Sequence, residues 1–218
     1  MNVFRRLALL PFMWVMPHSA LLAQDSTSVP RCAAKYATHR SCALATYGLT
    51  RLSDTALASG DRELRLWIES GIFLPERLVI LRERNGRVTG EAYRWWTGLG
   101  SSDSAFRAFV APHCRDLRTN GNAGMCRVRQ TVSPPWAAAL ETLDSLGVGV
   151  LPDQSTIPSD GRFTRDGFTL RVEVLDFKAY RAYEYQNPAG YADSLNRRAA
   201  AMMQLVSELA DPSRPPAR

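Results

Sequence analysis

Alternating apolar and polar residues predict β-strands in both halves of the chain. In the segment 63–69, Leu64, Leu66 and Ile68 fall on one side and mostly charged residues on the other, which is typical of a half-buried strand. The segment 168–175 alternates in the same way, so we expect a second strand of this kind. Its inward side chains are expected to be Phe168, Leu170, Val172 and Val174, and its outward ones Thr169, Arg171 and Glu173.

The strongest local signal is a β-hairpin made of residues 77–84 and 87–96. Between them stands Asn85-Gly86, and these two residue types readily adopt the positive φ angles of a type I′ turn. The expected cross-strand pairs are Arg84 with Arg87, Leu81 with Gly90, and Val79 with Ala92. The apolar face of the hairpin consists of Val79, Leu81, Val88, Gly90 and Ala92. Two of these residues are small, so we expect that a helix can approach this face closely.

Helical spacing predicts two helices in the second half of the chain. The first is expected to have Ser133 as its N-cap, Pro134 as its first residue and Gly147 at its end. The second is expected to begin with Asn187 as cap and Pro188 as first residue. Apolar residues share one face of the first helix at Trp136, Leu140 and Leu143. In the last helix they are Ala192, Leu195, Ala199, Met202, Val206 and Leu209, with Asn196, Arg197 and Arg198 outside this stripe.

The order of these elements predicts an α+β fold with one domain over residues 32–210. Residues 180–185 are expected to form a partner strand rich in tyrosine, and residues 104–110 a short helix. Hairpins favour antiparallel pairing, so we expect an antiparallel sheet with the helices packed on one face. Residues 24–31 are interpreted as a flexible leader and residues 211–218 as a disordered tail.

The first 23 residues have the organisation of a cleavable signal peptide. Arg5 and Arg6 are followed by the apolar run 7–15, and cleavage is expected after Ala23. A membrane anchor is the alternative, but the apolar run is shorter than the roughly 20 residues that span a bilayer. The paired arginines lack the polar context of a twin-arginine signal, so a general secretory signal is favoured.

An exported chain is expected in the periplasm or outside the cell. The chain has 27 basic and 21 acidic residues, and the signal removes two arginines, which leaves a mildly basic protein. No run of like charges indicates a nucleic-acid partner, and no stable membrane span is expected after cleavage. Lysine occurs only at Lys35 and Lys178; the abundance of arginine is compatible with anionic partners but also with a GC-rich genome.

Four cysteines in an exported chain predict two disulfides. Three pairings are possible, and we favour Cys32–Cys42 and Cys114–Cys126 because each closes a short loop. A zinc site is the alternative, but no Cys-x-x-Cys spacing is present and few histidines accompany the cysteines. No metal and no cofactor is expected.

Candidate catalytic groups are few. His39 and His113 are the available bases, and no Gly-x-Ser-x-Gly turn supplies a nucleophile. Glu91, Glu173 and Glu184 lie in predicted strands and could meet in a cleft, as paired carboxylates of a hydrolase do. We favour the view that they lie on a solvated face and pair with neighbouring arginines, here Arg171 or Arg181.

Aromatic side chains give the most suggestive pattern for function. Arg181, Tyr183 and Tyr185 share one face of a predicted strand, and Tyr93 and Trp95 share one face of another. Exposed Tyr, Trp and Arg are typical of binding hot spots, although core packing is the alternative for any single ring. The sequence therefore predicts a non-catalytic binding protein, with a protein, peptide or glycan as partner. An envelope hydrolase and a structural assembly subunit are the alternatives.

Overall fold

In a computed structural model, the described part of the chain contains three helices of more than one turn and seven strands. The described residues are 39–70, 76–97, 104, 108, 110–120, 123–130, 134–157 and 167–211. The expected signal peptide and leader lie outside the described residues, and so does the expected tail except for Asp211. Of the short helix expected over 104–110, only residues 104, 108 and 110 are described. No described helix is long and apolar enough to cross a membrane.

All seven strands belong to one antiparallel sheet, as predicted. The strands are β1 (Arg62–Ser70), β2 (Glu76–Arg84), β3 (Arg87–Thr97), β4 (Cys114–Asn120), β5 (Ala123–Val128), β6 (Phe168–Asp176) and β7 (Tyr180–Gln186). Their order across the sheet is β4-β5-β3-β2-β1-β6-β7, so β1 lies between the β2–β3 hairpin and the β6–β7 hairpin. The helices are α1 (His39–Tyr47), α2 (Trp136–Ser145) and α3 (Ser194–Leu209).

The hairpin between β2 and β3 has the predicted turn and register. Asn85 and Gly86 both have positive φ angles, 51° and 72°, which defines the expected type I′ geometry. The observed pairs include Leu81 opposite Gly90 and Val79 opposite Ala92. The turn chemistry therefore fixes which side chains of β2 and β3 share a face.

The two-helix face of the sheet carries α2 and α3 and contains the larger core. Leu66, Leu170 and Val172 are fully buried there against Leu143 of α2 and Met202 of α3. Gly90 permits close approach, because a Cβ atom at this position would lie 2.4 Å from the indole of Trp136. The predicted inward residues of β6 and the predicted apolar stripe of α3 thus supply much of this core.

The prediction that helices cover one face alone is wrong, because α1 packs on the opposite face. We call this the α1 face; its core joins Ala43 and Tyr47 of α1 to Trp67, Ile80 and Trp95 of the sheet. Strand β1 is consequently buried on both faces over most of its length and is not the half-buried strand expected from its pattern. The sequence of α1, HRSCALATY, contains no clear apolar stripe that would have indicated this contact.

Both predicted helix starts differ from the observed ones. Helix α2 begins at Trp136 with Pro135 at the N-cap position, while Ser133 lies outside the described residues. The 3₁₀ turn Pro188–Gly190 replaces the expected first turn of the last helix, because Asn187 has a left-handed conformation with φ 46°. The N-cap of α3 is Asp193, whose carboxylate accepts hydrogen bonds from the N–H groups of Leu195 and Asn196. Asn196, expected outside the stripe, is buried.

One of the two expected disulfides lies within the described residues. Cys114 of β4 and Cys126 of β5 are bonded, with 12 residues of separation and 5.5 Å between their Cα atoms. The antiparallel strands β4 and β5 bring the two cysteines together, where the sequence predicted only a short loop between them. The predicted bond Cys32–Cys42 lies outside the described side chains.

Candidate functional site

The predicted binding surface of Arg181, Tyr183 and Tyr185 is not exposed. The side chains share a face as expected, but that is the two-helix face, where Tyr183 and Tyr185 are 2% and 0% exposed. The hydroxyl groups of Tyr183 and Tyr185 donate to the carbonyl oxygens of Val148 and Pro152, each at 2.9 Å. Burial raises the pKa of Tyr183 well above its ordinary value, against the lowering effect of the Arg181 charge. These tyrosines hold a loop in place and are unavailable to a partner.

Arg181 completes this attachment of the loop to strand β7. Its guanidinium lies 5.3 Å above the Tyr183 ring and donates hydrogen bonds to the carbonyl oxygens of Gly149 and Leu151. Arg181 therefore binds backbone carbonyls, and of the two arginines expected as partners of the glutamates it is not the one that forms such a pair in the described residues. The three residues predicted as the first binding candidate form an internal clamp.

The second predicted aromatic set, Tyr93 and Trp95, lies in the core of the α1 face. Each is 1% exposed, so the expectation that they contribute a surface is also wrong. The Tyr93 ring packs edge-on against Tyr47, and Trp95 packs edge-on against Trp67, with centroids 4.9 Å and 5.3 Å apart. Aromatic pairs of this geometry stabilise a core beyond the burial of their area. Core packing was the alternative for Tyr93 and Trp95, and both rings pack in the core together with Tyr47 and Trp67.

Charged side chains occupy the rest of the α1 face, and a buried glutamate lies at their centre. Glu63 is 4% exposed and accepts hydrogen bonds through both carboxylate oxygens from three arginines. Arg65 donates to one oxygen at 2.9 and 3.0 Å, while Arg82 and Arg84 donate to the other at 3.1 and 3.3 Å. Arg65, itself 3% exposed, also donates to the carbonyl oxygen of Thr50. The chain segment before β1 thus covers an ion cluster that strand alternation alone would have left in solvent.

Glu91, a candidate carboxylate, belongs to the same network. Arg82 donates to one of its oxygens at 2.8 Å, and Arg127 lies 3.1 Å from the other. Burial opposes the ionisation of Glu91, but hydrogen bonds from Arg82 and Tyr93 and the charge of Arg127 outweigh it, so the pKa of Glu91 lies below its ordinary value. A carboxyl group with a lowered pKa is ionised near neutral pH and is poorly suited to act as a general acid.

Glu173, the second candidate, is held between two aromatic side chains. The indole N–H of Trp67 donates to one oxygen at 2.7 Å, and the hydroxyl of Tyr180 donates to the other at 2.8 Å. Burial first, and then the hydrogen bond to Glu173, raise the pKa of Tyr180. The Glu173 carboxylate therefore links the exposed ring of Tyr180 to the buried Trp67 and fixes its position.

Glu184, the third candidate, confirms the expected pairing with Arg171. The two side chains are hydrogen-bonded across β6 and β7, and Arg40 of α1 lies 3.7 Å from the same carboxylate. Arg40 also forms a 2.8 Å ion pair with Glu69 of β1. The three candidate glutamates therefore share the α1 face, but each is engaged by at least two donors or cations.

The turn between β6 and β7 presents two aromatic side chains that were not among the predicted binding residues. Phe177 is 48% and Tyr180 36% exposed, and the Lys178 ammonium lies 5.2 Å above the Phe177 ring. We call these three residues the hairpin tip. The Asp176 carboxylate accepts hydrogen bonds from the N–H groups of Lys178 and Ala179 at 2.7 and 2.9 Å, which lowers the pKa of Asp176. The sequence signal that could have indicated this surface is Phe177, an apolar residue in the turn directly after Asp176 at the end of β6.

The outer edge of β7 is partly closed by side chains. The Asp153 carboxylate accepts from the N–H of Glu184 at 2.9 Å. The Gln154 amide accepts from the N–H of Gln186 at 2.7 Å and donates to its carbonyl at 3.2 Å. These three bonds occupy positions where an added strand would pair.

The remaining concave and ionisable features offer less chemistry. A shallow groove of about 540 Å³ lies between α3 and the turn Pro188–Gly190, with Arg197 as a charged residue of its lining. His113 is exposed in a 3₁₀ turn, and the side chain of His39 lies outside the description. Among the described residues, no group of three or more His, Cys, Asp or Glu is placed to hold a metal ion.

Comparison with known protein families, with curated proteins and with solved structures finds no match for this chain.

Proposed function

We propose that the protein is a non-catalytic binding protein of the cell envelope or the extracellular space, and that it contacts a protein, peptide or glycan partner through the hairpin tip. The observation that carries the proposal is a pair of exposed aromatic side chains on a turn whose backbone, and whose Tyr180 ring, are held in place before any partner arrives. Phe177 is 48% exposed, and Tyr180 is fixed through Glu173 to the buried Trp67.

Rigidity at the tip favours binding because it reduces the entropy lost on association. Asp176 fixes the turn through two backbone hydrogen bonds, and Glu173 fixes the orientation of the Tyr180 ring. Tyrosine is among the residue types that most often dominate the free energy of binding. At the tip, Tyr180 is accompanied by the exposed Phe177 ring and the Lys178 ammonium above it, which add apolar area and one positive charge.

The state of the glutamates supports binding over the alternative of an envelope hydrolase. Carboxylate-dependent hydrolysis requires one protonated acid and one free base or nucleophile. Glu91 has a lowered pKa and two arginine partners, while Glu173 and Glu184 are each bound by donors. The closed part of the β7 edge likewise gives less support to assembly by strand addition there.

The proposal is tested by retention of solubilised envelope components on the immobilised mature protein. Replacing Phe177 by Ser and Tyr180 by Ala together is expected to weaken retention of the bound component at least about tenfold, because hot-spot residues contribute 2 kcal/mol or more. The control is Val150→Ser, since Val150 is 75% exposed but belongs to the loop clamped on the two-helix face. Equal retention by the tip variant and the control would refute the tip as the contact site.

The expected destination is tested separately by fractionation of cells that express the full chain. The protein in the periplasm or medium is expected to begin at Gln24, as found by N-terminal sequencing, because cleavage follows Ala23. Recovery of the uncleaved chain from the cytosol alone would overturn the proposed location.

A further inference from the structure

Two arginines face each other on the two-helix face, at the opposite end of the strands from the hairpin tip. Arg77 of β2 and Arg94 of β3 are direct partners in the antiparallel register. Both lie beside the C-terminal end of α3, where Arg94 donates to the carbonyl oxygen of Ala210 at 2.9 Å. Like charges directly opposite each other in a sheet destabilise it unless something offsets them.

The surroundings of Arg94 offset its charge. Its guanidinium lies 3.3 Å from the Asp211 carboxylate, in addition to its bond with Ala210. The C-terminal end of a helix carries a partial negative charge, which also favours a cation at this place. The side chains of Arg94 and Asp211 are 17% and 35% exposed, so this place can be reached from solvent.

Arg77 has no comparable partner among the described residues. Its Nε atom is buried and donates no hydrogen bond to any described residue. Burial and, second, the charge of Arg94 lower the pKa of Arg77, and Asp211 acts weakly in the opposite direction. An exposed arginine such as Arg87 is solvated by water, but a buried guanidinium N–H such as that at Nε of Arg77 is costly when it has no hydrogen-bond partner.

We propose that Arg77, together with the neighbouring Arg94, binds the carboxylate group of a small organic acid or of a peptide C-terminus. A guanidinium binds a carboxylate through two parallel hydrogen bonds, which is the partner that Arg77 lacks. Among the residues that the structure describes here, two arginines and one aspartate leave one positive charge, which a monoanion neutralises. A dianion such as phosphate would place excess negative charge beside Asp211 and the helix end. This ligand is distinct from the partner of the hairpin tip.

The test is thermal unfolding of the mature protein with added acetate or N-acetylalanine, against chloride at equal ionic strength. A ligand that binds the native state alone raises Tm with its concentration, which yields an apparent Kd. For Arg77→Gln, the apparent Kd for the carboxylate is expected to rise at least about tenfold, as the loss of a charged hydrogen-bonded pair implies. Arg87→Gln removes the same charge from the exposed hairpin turn and is expected to leave that Kd unchanged.

In chloride alone, Arg77→Gln is expected to match or exceed the wild-type Tm, because the change removes an unpaired charge. Tighter binding of N-acetylalanine than of acetate supports the site and identifies a peptide C-terminus as the better source. The proposal is overturned if the wild type does not respond to either carboxylate, if Arg77→Gln and Arg87→Gln weaken binding equally, or if phosphate stabilises more strongly than acetate. None of these outcomes bears on the hairpin tip, so the two proposals fail independently.

Discussion

The indole of Trp136 lies directly on the backbone of Gly90, so the start of α2 contacts strand β3 where no side chain intervenes. A Cβ atom at Gly90 would be 2.4 Å from Cδ2 and 2.5 Å from Cε3 of the ring. The sequence indicated the two residues separately. Gly90 is a small residue on the apolar face of the hairpin, and Trp136 is an aromatic residue on the apolar face of the predicted helix. Their contact sets the distance between helix and sheet.

We therefore expect Gly90→Ala to lower the free energy of unfolding by about 1–3 kcal/mol, the usual cost of overpacking a core. Chemical denaturation of the wild type and the variant measures the difference. Gly149→Ala is the matched control, because a Cβ atom there meets nothing within 4 Å and its backbone is not left-handed. Equal effects of the two changes would show that the contact with Trp136 does not limit packing.

Removal of the Glu63 charge is expected to be the most damaging single change on the α1 face. Glu63→Gln would leave Arg65, Arg82 and Arg84 without their shared carboxylate, and breaking a buried ion pair typically costs about 3–5 kcal/mol. Glu83→Gln serves as the control, since Glu83 has a 33% exposed side chain and lies 3.7 Å from Arg62. That change is expected to cost less than about 1 kcal/mol. A loss of similar size in both variants would contradict a special role of the buried cluster.

The lowered pKa of Glu91 predicts a dependence of stability on pH with a definite sign. The folded state favours the ionised form, so its contribution is fully present above the ordinary pKa of 4.5 and is lost as the pH falls below that value. At pH 7 we expect Glu91→Gln to be less stable than the wild type by about 1–2 kcal/mol, given its charged hydrogen bonds.

Denaturation curves of the two proteins between pH 7 and pH 3 measure this effect. The difference in unfolding free energy is expected to shrink steadily below pH 4.5, because the unfolded wild-type chain takes up a proton at Glu91 at a higher pH than the folded protein does. A difference that stays constant or grows on acidification would show that Glu91 contributes through packing and not through its charge.

Local chemistry was sufficient to predict the parts of the fold in which neighbours in sequence are neighbours in space. Asn85-Gly86 specified its turn, and the two-residue loop then specified the pairing of β2 with β3. The alternation in β6 and the spacing in α3 likewise predicted residues that the core contains. Each of these patterns is complete within one segment of the chain.

The candidate site was predicted less well because it depends on contacts between distant segments. Alternation could not distinguish a solvated face from one covered by another element, so the burial of Tyr93 and Trp95 under α1 was missed. The same holds for Glu63, which is covered by the residues around Thr50. Asn196 was expected outside the apolar stripe of α3 because it is polar. It is buried, and Gln154 and Asp193 satisfy the hydrogen bonds of its amide.

The side chains of Asp153 and Gln154 determine how this sheet behaves when copies of the chain are crowded together. A second molecule that approached β7 at Glu184 or Gln186 would have to break existing hydrogen bonds before it could form its own. Native sheets that end in this way resist the growth of intermolecular fibrils, since the template for an incoming backbone is already occupied. We therefore expect this pair of polar residues to hinder aggregation of the folded protein at the β7 edge.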